Sequence, residues 1–220
     1  DCRFTYDAAV ERALPRPGDK PLMTETEFRL AEPVAALAVA TDLVRGQPAG
    51  QALHKTLIAT RLAGHLGLDA RGRAGTYFAT LLRAAGCTAT SHEYSLYLGG
   101  NDVAVRFNGD ATDTDDADQL VRLLTTLGKA SMDPAEAMQI VADGSRADRE
   151  VAGRMVTRLG LDEDVSESVR HIFERWDGKG LPNGVGGDDI PLSARISHVA
   201  SVAVMFAQAR GPRVALATLE

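Results

Sequence analysis

The chain has 220 residues, enough to bury one substantial core, a formal net charge of −6 and only 5% aromatic residues. Its Lys and Arg residues are scattered and form no basic face, which argues against nucleic-acid binding by this segment. The longest apolar stretch, Val34 to Ala40, is too short to cross a membrane, and Cys2 and Cys87, without a secretory hydrophobic region, read as reduced thiols in the cytoplasm.

Residues 1–22 stand apart. Pro15, Pro17, Gly18 and Pro21 interrupt any helix, so this part is expected to be a poorly structured leader or linker, with the main domain running from residue 23 to 220. Apolar periodicity then predicts helices at about 27–45, 50–67, 71–86, 89–99, 115–128, 134–142, 147–159, 163–176 and 191–209. A two-residue alternation is discernible only around Val103 to Phe107, and the fold class is all-α. His92-Glu93 is not a zinc signature, because Leu96 stands where the second histidine would be. The acidic run from Asn108 to Asp118 provides no EF-hand register with both the glycine and the closing glutamate, and reads as a solvated loop capping a helix. Asp133-Pro134 and the acids at 162–164 are helix-start signals.

The most patterned segment is Glu174-Arg175-Trp176-Asp177-Gly178-Lys179-Gly180-Leu181-Pro182, followed by Ile190-Pro-Leu-Ser-Ala-Arg195-Ile196. Val165, Val169, Ile172, Phe173 and Trp176 recur at helical spacing before it, and Ile196, Val199, Ala203 and Phe206 after it. A glycine-rich loop stiffened by Pro182 and Pro191 is therefore expected between the last two helices.

This segment resembles the HD-GYP branch of the metal-dependent HD phosphohydrolases, whose members open cyclic di-GMP. In that family a helix ends in His-His-Glu-Arg-Trp-Asp-Gly-x-Gly-Tyr-Pro, and the next element reads Ile-Pro-Leu-x-Ala-Arg-Ile-x-x-x-Ala-Asp. The frame persists here with Leu181 in place of the tyrosine. The resemblance implies an HD-domain-like helical bundle whose C-terminal end is cut short at residue 220. It extends, more weakly, over Leu43 to Gln208. Gly86 to Glu93 is similar to an actinobacterial subgroup in which such a domain often precedes a helix-turn-helix segment.

The family's metal ligands do not carry over. Its two adjacent histidines fall on Ile172 and Phe173, and its late aspartate on Ser201. With Leu62-Ala-x-x-Leu-Gly-Leu68 setting the register, its first histidine falls on Gln51. The His-Asp pair of Leu-Leu-His-Asp-Ile-Gly-Lys falls on Arg83 and Ala84, and a further histidine near Asp148. Of these positions only Asp148 offers a metal donor of the kind the chemistry needs, and one carboxylate is not a site. Arg83, a permanent cation, is either buried against an acid or placed to attract an anion. His54 and His198 lie one helical turn from the expected ligand positions, which leaves a relocated site to be weighed, with His171 as a further surface candidate.

Three functional classes follow. The leading one is a non-catalytic signalling or regulatory domain without metal cofactor, expected to form a homodimer and to act on a C-terminal DNA-binding segment in a longer chain. The second is a phosphodiesterase with relocated ligands holding two divalent metals such as iron or manganese. The third binds a nucleotide, such as a cyclic dinucleotide, without turnover, using Arg83, Lys179 and Arg195. Arg195 is expected instead to pin the loop through Asp177 or Glu174, and Lys179 to lie in solvent.

Overall fold

Helix boundaries in this chain are set by polar caps and glycines between stretches whose small residues let helices approach closely. The structure is a computed structural model that describes residues 29–88, 95, 100, 103–104, 108, 117–127, 133–213 and 215. The described helices are α1 (Ala31–Val44), α2 (Gln51–His65), α3 (Ala70–Leu82), α4 (Ala117–Leu127), α5 (Pro134–Arg158), α6 (Glu163–Arg170) and α7 (Leu192–Arg210). Short 3-10 turns lie at Ala85–Thr88 and Gly187–Asp189. No strand occurs among the described residues, and the all-α expectation holds. The expected leader, the 89–99 helix, His92, Glu93 and the acidic residues 110–116 lie outside the described residues, as do 105–107; Val103 and Ala104 are helical rather than extended.

Local chemistry accounts for several starts. Asp69 accepts the Gly72 N–H at 2.8 Å to open α3, and Asp133 accepts that of Ala135 at 2.8 Å with Pro134 behind it to open α5. Asp162 precedes α6 without a capping hydrogen bond of its own side chain; together with Asp164 it pairs with Arg71 at 3.3 and 3.0 Å, tying α6 to α3. The helix α2 is capped from another element. The buried Asp42 carboxylate on α1 accepts the Gly50 and Ala52 N–H groups at 3.1 and 3.0 Å. Desolvation raises the Asp42 pKa, although these N–H groups and the nearby Lys55 and Arg45 act against it.

The principal core joins α1, α3, α5 and α6 through Val34, Ala38, Leu81, Leu82, Val156, Val169 and Ile172. Full burial of side chains such as Leu81 and Leu82 stabilises by about 1.5–3 kcal/mol each. A second cluster of Ala59, Ala63, Ile196 and Ala200 joins α2 to α7, where alanines permit close approach. Buried threonines on these helices avoid unsatisfied hydroxyls by donating one turn back, as Thr56 does to the Ala52 carbonyl and Thr80 to that of Thr76. No helix among the described residues is long and apolar enough to cross a membrane.

Two expected elements are corrected. The helices expected at 134–142 and 147–159 are one 25-residue helix, α5, that runs through Gly144. An interior glycine costs about 1 kcal/mol, and side-chain pairs from Asp143 to Gln139 and Arg146 span the position. The helix expected over 163–176 ends at Arg170, and residues 171–173 turn away from its axis. Ile172 and Phe173 thus still face the interior, but Trp176, expected on the same apolar face, is 63% exposed.

Candidate functional site

The loop after α6 is organised from inside by Glu174. Its carboxylate, 2% exposed, accepts the Asn183 and Val185 N–H groups, both at 3.0 Å. The Leu181 N–H returns to the Phe173 carbonyl at 3.2 Å and the Gly187 N–H to that of Trp176 at 3.0 Å, so the loop is a closed unit. Gly180 has no side chain because a Cβ there would lie 2.2 Å from the Arg175 nitrogen and 2.4 Å from the Glu174 Cα. Gly178 adopts φ +74°, the left-handed region that favours glycine.

On the outer side of the loop Arg175 pairs with Asp177 at 2.8 Å. Arg195 does not pin the loop through Asp177 or Glu174. It pairs with Asp188 at 2.8 Å and places its guanidinium 5.4 Å from the centre of the Trp176 ring. Arg195 lies on the first turn of α7, and the 3-10 turn at Gly187–Asp189 brings Asp188 within its reach. Lys179 is exposed, as expected, with its N–H bonded to Asp177.

Beneath the loop, the positions given by the resemblance are occupied as follows. Arg83, at the end of α3, donates to the Ile172 carbonyl and lies over the Phe173 ring at 4.8 Å from its centre. Ile172 is a core residue, 1% exposed. Ala84 follows in the turn before Gly86, which touches the backbone of α5: a Cβ on Gly86 would lie 2.0 Å from the Asp148 carbonyl oxygen. The Asp148 carboxylate accepts a hydrogen bond from the Cys87 thiol at 3.0 Å. Ser201 donates to the Ser197 carbonyl one turn back at 2.8 Å. Gln51 donates to Gln47 and Gln208 at 2.9 and 2.6 Å, joining α2 to the end of α7.

The structure therefore brings Arg83, Ala84 and Phe173 to one place, a cavity of about 50 Å³ that they line with Asp42, Arg45, Ala52, Lys55, Thr80, Cys87 and Met205. Gln51, Asp148, Ile172 and Ser201 do not line it, nor do Lys179 and Arg195, the other two cations expected to act with Arg83. Sequence reasoning missed Asp42, Arg45 and Lys55. For Lys55 a signal existed: it falls four residues after Gln51, beside Ala52, Thr56 and Ala59 on the buried face of α2, where a lysine has no reason to be unless its charge is used.

The displaced histidines do not converge. His54 and His65 are exposed, and His171, partly buried just after α6, meets the Glu167 carbonyl oxygen through Nδ1 at 2.9 Å. His198 on α7 is largely buried and its Nδ1 has no hydrogen-bond partner. Desolvation, aided by the positive charges of Arg83 and Arg175, lowers its pKa to about 4, so the ring is neutral near pH 7. Among the described residues no three His, Cys, Asp or Glu side chains group as a metal site would require.

Comparison with known proteins agrees with this architecture. Residues 146–220, which hold Asp148, the glycine loop and α7, match the HD domain family. Over 198 residues the chain is 23% identical to the 3'3'-cGAMP-specific phosphodiesterase 3 of Vibrio cholerae, an alignment covering 84% of this chain and 42% of that protein. The crystal structure of a cyclic GMP-AMP specific phosphodiesterase of V. cholerae shares the fold with a TM-score of 0.62 at 21% identity, over 86% of this chain and 44% of that one. The chain thus spans less than half the length of the relative it matches.

Proposed function

We propose that this chain is a non-catalytic HD-GYP-like signalling or regulatory domain, a phosphohydrolase fold whose catalytic metal centre has been replaced by direct protein contacts. The observation that carries the reading is the placement of Arg83, whose guanidinium joins α3 to the residues after α6 through the Ile172 carbonyl and the Phe173 ring. In the family that this segment resembles, histidines at these three positions hold metal.

The residues present do not fit divalent cations. Alanine, isoleucine and phenylalanine have no donor to offer, and Asp148 is engaged by Cys87. Arg83 would repel a divalent ion, as would Lys55 and Arg45 beside it. Phosphodiester hydrolysis of the metal-assisted kind needs a cation to polarise the phosphoryl oxygen and to supply hydroxide near neutral pH. In this reading the domain keeps the loop and the bundle as a platform, pairs with a second copy of itself, and passes its state to an output segment in a longer cytoplasmic chain.

The similarity to a cGAMP phosphodiesterase favours a second reading, an active phosphohydrolase with ligands drawn from elsewhere. The two are separated by measuring bound metal in protein purified without chelators and by assaying hydrolysis of 3'3'-cGAMP and cyclic di-GMP with added iron or manganese. The regulatory reading expects no stoichiometric metal and no turnover. Two tightly bound metals per chain with hydrolysis of either dinucleotide would overturn it.

A further inference from the structure

We infer that a second pocket, towards the other end of α3 from Arg83, is a binding site for a small organic cation, an aromatic body on a short chain that carries an ammonium group. The pocket has a volume of about 340 Å³ and lies where α3 meets the turn from α5 into α6. Phe78, Leu161 and Val165 form its apolar walls, and the principal core supports all three from behind. Gly75 makes the space. It is buried inside α3, yet a Cβ built on it would meet no atom within 4 Å. No close neighbour requires that glycine, and glycine is among the poorest residues for a helix interior. What its missing side chain leaves open is the pocket. Gly75 stands about 12 Å along the helix axis from Arg83, so the site does not depend on whether the domain holds metal.

Size and charge select the ligand. An apolar cavity of roughly 150 Å³ holds one benzene ring, so this pocket has room for a ring with a short tail. Its volume falls at the low end of the roughly 300–1,000 Å³ typical of small-molecule sites. The walls are apolar but the rim is charged: the Arg71 Nε meets the Asp164 and Asp162 carboxylates at 3.0 and 3.3 Å. These three are the charged side chains that line the pocket, and with that pairing counted they leave one negative charge. An acidic ligand would meet a guanidinium already held by two carboxylates, whereas an ammonium group completes the balance. Asp162 and Asp164 are 61% and 63% exposed, so charge chooses among ligands only modestly and the apolar walls supply most of the affinity.

The probe is phenethylamine, titrated into the full chain at constant ionic strength and followed by amide NMR, beside the neutral phenethyl alcohol and the anionic phenylpropionate. Saturable shifts at Gly75, Gly160 and Val165 with a millimolar or tighter dissociation constant are expected for the amine. The alcohol should bind about threefold more weakly, and phenylpropionate more weakly again. Gly75→Leu, which fills the open space, and Ala74→Leu, which narrows the pocket from its rim, should each abolish saturation by the amine. Asp164→Asn should weaken the amine about threefold and leave the alcohol unchanged. Thermal melts identify the folded variants, and plugs at two positions keep the blocking test available if one of them is lost. No saturable shift at these residues, or amine binding that survives in a folded plugged variant, overturns the inference. Alcohol or phenylpropionate binding as tight as that of the amine overturns it as well, by removing the cationic ligand class.

Discussion

The glycine loop and the floor beneath it both tie elements of the bundle together, by different means. In the loop every unusual residue is required by a neighbour a few positions away: Glu174 takes the Asn183 and Val185 N–H groups, and Gly180 leaves room for the Glu174–Arg175 backbone. Under it, the joints come from residues far apart in the chain, with Arg83 reaching Ile172 and Phe173, and Cys87 reaching Asp148. Local joints survive only as a set, because each residue's change disturbs the others. Long-range joints can be exchanged for any pair that bridges the same gap. That asymmetry lets the side chains of the floor vary while the loop pattern is kept.

The largest effect should come where a long-range joint is made by backbone instead of side chain. Gly86→Ala pushes a Cβ to 2.0 Å from the Asp148 carbonyl oxygen and 2.3 Å from its Cα, and neither the 3-10 turn nor the middle of α5 can yield cheaply. A loss of at least roughly 4 kcal/mol in denaturant unfolding is expected. A loss under 1 kcal/mol would show that the turn moves freely and that the floor is looser than the loop.

Next comes the loop's own anchor. Glu174→Ala leaves the part-buried Asn183 and Val185 N–H groups without their acceptor and opens a hole where the buried carboxylate was, at a cost of about 3 kcal/mol, while Glu174→Gln retains one acceptor and loses less. Hydrogen exchange at Asn183 and Val185 reads this directly: protection should fall in the alanine variant ahead of the surrounding helices. Unchanged protection would mean that the loop is held by the glycine contacts alone.

The same asymmetry set what could be read in the sequence. The loop was legible because its signals are local, and α7 and most helix starts were legible because a cap and a period sit side by side. The cavity was not. Asp42, Lys55 and Arg83 belong to three helices, and nothing in a single sequence states that α1, α2 and α3 meet there. The position of Arg83 was available through the resemblance, but not its contacts with the Ile172 carbonyl and the Phe173 ring. Trp176 was misplaced because the period of Val165, Val169 and Ile172 continues past Arg170, where the helix ends. The gap expected between 142 and 147 holds Gly144, whose cost in a helix is local, whereas the packing that outweighs it in α5 is not legible in the sequence.

A smaller effect tests the electrostatics of the floor. The His198 ring has a folded pKa of about 4 against 6.5 unperturbed, so the unfolded chain binds more protons between these values and stability falls as pH drops through that window. By about pH 5 this amounts to roughly 2 kcal/mol. Asp42, whose pKa is raised, changes stability in the opposite sense where it titrates, so the difference between wild type and His198→Gln isolates the histidine. The variant should lose the acid-limb slope while the alkaline side is unchanged, as followed by urea unfolding from about pH 8 to 4.5. An identical slope in both proteins would show that the ring is not desolvated where it packs, nor held beside the positive charges of Arg83 and Arg175.

The smallest effect belongs to the outer side of the loop, and there a small number is the informative outcome. Trp176 is 63% exposed and meets Arg195 only through ring stacking, while the Arg195–Asp188 pair has its acid 89% in solvent. Exposed contacts of both kinds contribute about 0.5–1 kcal/mol or less. Trp176→Ala should therefore lower stability by under about 1 kcal/mol, and a double-mutant cycle with Arg195→Ala should return a coupling no larger. A tryptophan that the fold does not need, held by an arginine over a rigid loop, is a surface feature rather than a core one. A loss of 2 kcal/mol or more would reverse that assignment, making the outer face as structural as Glu174 and removing the contrast between the two sides of the loop.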